Sequence, residues 1–125
     1  MTQEDKELLL KDLCARLPYG VKMNHIADEE ICPLTLVGVA KDMITLHGGG
    51  GYACTCVEDY TPYLFPLSSM TEEQKKEQEA HFTCIKHDMS FSICRYIEWC
   101  YKNHFDINGL IEKELALDAT GLNIY

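Results

Sequence analysis

Leu34-Thr35-Leu36-Val37-Gly38-Val39, Met43-Ile44-Thr45-Leu46 and Tyr52-Ala53-Cys54-Thr55-Cys56-Val57 are three β-rich runs set close together, and their reading decides the fold. Branched and aromatic residues suit a pleated strand, and the separators are turn-formers. Lys41-Asp42 is short enough for a hairpin, and Gly48-Gly49-Gly50-Gly51 reads as a flexible second connection. Upstream, Val21-Lys22-Met23-Asn24-His25-Ile26 begins as alternation. Downstream, Tyr60-Thr61-Pro62-Tyr63-Leu64-Phe65-Pro66 is a last extended piece that its two prolines confine to an edge or a turn. Four or five short strands over residues 20–67 predict a small, strongly bent antiparallel sheet, with an SH3-like barrel as its closed form.

Helical patterns flank this region. Over residues 2–17, Leu10, Leu13, Cys14 and Leu17 recur at helical spacing, with Leu9 widening the stripe and Thr2 and Asp5 as a capping pair. Pro18 and Gly20 close that helix. Thr71-Glu72-Glu73-Gln74 is a capping box opening a polar helix to about Ala80. Residues 89–103 form a second helix, apolar on more than one face. Asp106 is positioned to cap a third, with Ile107, Leu110, Ile111 and Leu115 as its stripe. The expected architecture is a single α+β domain over residues 1–125: an N-terminal helix, a bent sheet, and two or three helices between 71 and 117.

Composition narrows the function. Twenty acids against eleven bases give a net charge of −9, and the surplus runs along the whole chain. Such a surface repels nucleic-acid backbones and acidic lipids. Only Arg16 and Arg95 supply guanidinium groups for phosphate. Direct nucleic-acid binding is therefore not expected, although an acidic surface that imitates nucleic acid to occupy a basic enzyme is a coherent alternative. No apolar stretch approaches the roughly 18–20 residues of a membrane helix. The polar, acidic start of the chain does not read as a signal peptide. The expectation is a cytoplasmic protein without membrane contact.

Seven cysteines, an odd number at irregular spacing, argue against a disulfide framework. Most read as reduced core residues, with Cys14, Cys94 and Cys100 inside helical patterns. The candidate metal ligands are His47, Cys54, Cys56, His81, Cys84 and His87. In a strand Cys54 and Cys56 share a face. His81 and Cys84 share a helix face that His87 turns away from. No second C-x-x-C or H-x-x-x-H completes a zinc pattern, so no metal or other cofactor is assigned. The glycine run lacks the Lys and Ser/Thr of a phosphate loop. No nucleophile, base and orienting group take mutually consistent roles, so no enzyme activity is expected. The remaining candidates are aromatic. Tyr96, Trp99 and Tyr101 in the second helix, and Tyr63 and Phe65 beside the prolines, are residue types that dominate protein interfaces.

Three stretches carry a resemblance: Glu7 to Val21 (ELLLKDLCARLPYGV), Pro62 to Glu73 (PYLFPLSSMTEE) and His104 to Lys113 (HFDINGLIEK). Together they resemble a group of small proteins of gut anaerobic bacteria and their phages or mobile elements. That group has no assigned activity or cofactor. The resemblance implies an accessory protein of a mobile element working in the bacterial cytoplasm. The leading expectation is thus a non-catalytic module that binds another protein. A metal-binding or thiol-dependent protein, and an acidic inhibitor of a nucleic-acid enzyme, are the alternatives.

Overall fold

The computed structural model describes residues 1–85 and 89–125. Helix α1 (Gln3–Arg16) starts where the Thr2 hydroxyl accepts the Asp5 amide hydrogen bond at 3.1 Å. A short 3-10 turn through Pro18 follows, and Gly20 at φ +68° turns the chain into the sheet. Six strands follow in the chain: β1 (Lys22–His25), β2 (Leu34–Ala40), β3 (Met43–Gly48), β4 (Gly51–Cys56), β5 (Tyr60–Leu64) and β6 (Leu117–Asp118). Between β5 and β6 lie α2 (Glu72–Ile85) and α3 (Met89–Lys102). The fold is α+β, as the patterning predicts.

The sheet order is β4-β3-β2-β1-β5-β6, antiparallel except for β6, which runs parallel to β5. It does not close into a barrel. Among the described strands the only register shift lies between Leu36 and Gly38, and such bulges are what bend a strand toward closure. β6 pairs along Tyr63 and Leu64 only, so it leaves the Pro62 position uncovered on that side. This is how a proline is accommodated in a strand one place in from the edge.

α1 presents Leu9, Asp12, Leu13 and Arg16 to the interior. The buried stripe therefore starts at Leu9 and not at Leu10, and Cys14 is turned out to solvent. Leu9 and Leu13 join Val21, Met23, Leu36, Ile44, Leu46, Val57, Leu64 and Leu110 in the main core. A second cluster gathers Met70, Cys100 and Phe105, with Phe65, Tyr96 and Trp99 packed on it.

The helical region ends earlier than the stripe predicts. α3 stops in a Schellman motif: the Phe105 amide donates to the Cys100 carbonyl, the His104 amide donates to the Tyr101 carbonyl, and His104 holds φ +63°. Residues 106–116 then form successive turns and not a third helix, with left-handed conformations at Gly109 and Glu114. The Asp106 carboxylate still caps, accepting the Leu110 and Ile111 amides at 2.9 and 3.0 Å. The capping box of α2 is reciprocal: Gln74 N–H to Thr71 Oγ1 at 3.2 Å and Thr71 N–H to Gln74 Oε1 at 2.9 Å.

The cysteines correct the reading of them as mostly core. Cys14, Cys32, Cys54, Cys56 and Cys94 are exposed, and Cys100 is buried. A thiol is small enough that its neighbours decide which way an amphipathic face turns, and here larger groups took the inward positions.

Candidate functional site

The β3–β4 hairpin turns Ile44 and Leu46 into the core and leaves Met43 and His47 of β3 and nearly all of β4 exposed. Gly49 and Gly50 occupy its two-residue loop at φ +58° and +86°, the signs a type I′ turn requires at both central positions. The turn sets the register: His47 opposite Tyr52, Thr45 opposite Cys54, Met43 opposite Cys56. With Gly48 and Gly51 as the closing hydrogen-bonded pair, ladder alternation makes these three pairs the non-hydrogen-bonded ones. The amide and carbonyl groups of Tyr52, Cys54 and Cys56 then point away from β3, along the open edge.

Nothing in β4 blunts that edge. Gly51-Tyr52-Ala53-Cys54-Thr55-Cys56 contains no charge and no proline, and only Thr55 is even half-buried. Tyr52 is 75% exposed, with its ring 4.6 Å from that of His47. On the same outer face the Cys56 Sγ lies 3.9 Å from the Met43 Sδ. Charge appears only at the far end of the strand, where Lys6 of α1 bridges Glu58 and Asp42. Open, uncharged edges of this kind are templates for adding a strand.

The candidate metal ligands do not come together. His47, Cys54 and Cys56 share the hairpin's outer face, whereas His81 on α2 lies against the rings of Tyr96 and Trp99 at 6.0 and 5.6 Å. His87 and the side chain of Cys84 lie outside the described residues. Among those described, no three His, Cys, Asp or Glu side chains gather to hold an ion.

The aromatic candidates have internal partners. Tyr63 is 3% exposed, and burial raises the pKa of its phenol; alternation gives the main core to its neighbour Leu64, but β5 is buried on both faces here, so Tyr63 is no surface residue. Phe65 packs edge-on to Phe105. Tyr96 donates to Gln78 at 2.9 Å and its pKa is pushed up to about 12, chiefly by burial. Trp99 donates to Glu77 at 2.7 Å. Tyr101 lies under the Arg16 guanidinium, 4.9 Å from the ring centroid. These contacts tie α2 to α3 and α3 to α1.

Sequence reasoning missed a buried polar cluster. Arg16 and Asp12, both side chains 0% exposed, form an ion pair four residues apart on α1. Arg16 also donates to the Phe105 carbonyl at 2.7 Å, and Asn108 donates to Asp12 at 2.8 Å. Beside it, His104 stacks on Tyr125 with centroids 3.7 Å apart. Tyr125 in turn accepts from the Lys22 amide at 2.9 Å and donates to the Tyr63 carbonyl at 2.6 Å. An Asp-x-x-x-Arg spacing was the available signal for the pair; nothing in the sequence pointed to His104.

The position of His104 has a pH consequence. Burial first, then the charges of Arg16 and Lys22, lower its pKa to about 4. A base whose folded pKa is depressed leaves stability intact above its unfolded pKa of about 6.5, and stability is lost as pH falls from there toward 4. The expected loss is on the order of 2 kcal/mol after allowance for the exposed part of the ring. Urea unfolding at pH 7.0 and 4.5 measures it, and His104→Asn, which tolerates the left-handed backbone, should flatten that part of the pH dependence.

No helix of the described residues is long and apolar enough to cross a membrane. In comparisons with protein-family models, curated proteins and solved structures, nothing matches this chain.

Proposed function

We propose that this chain is a non-catalytic protein-interaction module, an accessory of a phage or mobile element acting in the cytoplasm, which takes an extended segment of its partner as an added strand beside β4. The observation that carries this reading is the edge itself: six residues without charge or proline, with three residues' backbone groups directed outward. Main-chain hydrogen bonds supply the affinity, and the exposed Tyr52 and Cys54 supply apolar contacts for alternate side chains of the incoming strand. Glu58, Asp59 and Asp42 against Lys6 leave the Cys56 end acidic, which favours a partner segment with Lys or Arg where it passes that end.

Cys54→Pro tests it. The Cys54 amide points away from β3, so proline removes an outward donor while sparing the hairpin ladder. The protein bearing this change should retain the unfolding midpoint of wild type within about 1 kcal/mol of stability, yet lose the partner that wild type recovers from host extract. Equal recovery by both proteins would refute strand addition at β4.

A further inference from the structure

The outer face of the same hairpin carries a second possibility that goes beyond strand addition, because it uses side chains and not the edge backbone. Cys54 and Cys56, two apart on β4, project from one face, and their Cβ atoms are about 7 Å apart along the strand. Each thiol can swing toward the other about χ1. Met43 stands directly opposite Cys56 in the closer, non-hydrogen-bonded kind of pair, and its thioether already lies 3.9 Å from the Cys56 sulfur. Met43 also sits diagonally from Cys54, within reach of a long unbranched side chain. All three are exposed, so an ion reaches them without any opening of the fold.

We propose that Met43, Cys54 and Cys56 form a binding site for a soft monovalent metal ion, copper(I). Metal–sulfur bonds of about 2.3 Å set three sulfurs roughly 4 Å apart around a trigonal ion, the separation Met43 and Cys56 already show. The chemistry of the donors decides the metal. Two thiolates and a thioether are soft ligands that select copper(I), whereas zinc asks for four N, O or S donors in a tetrahedron. No such four-donor set stands here, because His47 is at the other end of the face, against Tyr52. Binding one copper(I) breaks two S–H bonds, forms two copper–thiolate bonds and one thioether bond, and releases two protons to solvent, with no change in oxidation state. Uptake therefore weakens as pH falls. The two-residue turn at Gly49-Gly50 sets the pairing that places the three residues near one another before the ion arrives.

The test is competition for copper(I) against a colorimetric chelator under anaerobic, reducing conditions, using the full chain. Wild type should withdraw one ion per chain. Cys54→Ser or Cys56→Ser should each weaken that uptake by more than the roughly 10–100-fold that loss of an outer-sphere partner costs, and Met43→Leu by about tenfold. Cys14→Ser and Cys32→Ser, at thiols elsewhere on the surface, should leave it unchanged, and X-ray absorption of the loaded protein should show sulfur neighbours only. Uptake that survives both hairpin cysteine changes, that falls equally with Cys14→Ser, or that zinc displaces at equal concentration would overturn the assignment. Circular dichroism of each protein separates loss of a ligand from loss of fold.

Discussion

Asp12→Ala is expected to lower the unfolding free energy by about 3–5 kcal/mol, a large part of the stability of a domain this size. The loss comes less from the pair's own attraction than from what remains. Arg16 is fully enclosed and would keep its charge with only the Phe105 carbonyl and the face of Tyr101 to answer it. Asn108 would lose its short hydrogen bond as well. Removing both charges together, as Asp12→Leu with Arg16→Met, should recover most of the deficit, because two apolar side chains carry no desolvation cost into the core. Urea denaturation of the three proteins measures this. A single change costing under about 1 kcal/mol would mean that the pair is solvated in solution.

Phe105→Ala should be comparably severe, at about 3–5 kcal/mol. Its ring is 1% exposed and stands between Trp99, at 5.5 Å, and Phe65, at 6.4 Å, so truncation leaves a cavity where the helices meet the sheet. Its backbone also accepts from Arg16 and joins Phe65 in a parallel bridge. Phe105→Leu, which keeps most of the volume, should cost markedly less. The Trp99 fluorescence spectrum should shift with the alanine change, since the indole rests on the ring removed. An unchanged spectrum and midpoint would show that the second cluster packs without Phe105.

The five strands between Lys22 and Leu64 were legible because each is a short β-rich run bounded by glycine, proline or polar residues, signals that act over a few residues, whereas β6, two residues long and paired with β5 alone, carries no such signal. The register of the hairpin was not legible: four consecutive glycines leave open where the turn falls, and only the loop at Gly49-Gly50 puts Met43 across from Cys56. The Met43 thioether gave no signal in the sequence, because a methionine in a β-rich run reads as one more apolar strand residue. The predicted helix over 106–116 failed because apolar spacing is shared by helices and by turns packed on a core; Gly109 at φ +71° breaks the helix there. The inward face of α1 differs by one position from the predicted stripe, since Asp12 and Arg16 look solvent-facing until the Phe105 carbonyl, 89 residues from Arg16, arrives to accept from the guanidinium. Burial of charge depends on distant partners, and a local pattern does not carry them.

That last contact also constrains the order of assembly. If α1 settled against the strands before the chain around Phe105 had closed, the guanidinium would be sealed away short of an acceptor, at a cost that disfavours any half-docked species. Docking of the first helix and closure of the turn after α3 are thereby coupled into one event spanning most of the chain. Amide exchange in both places should follow the same global opening, and a chevron with straight arms is the kinetic form such coupling takes.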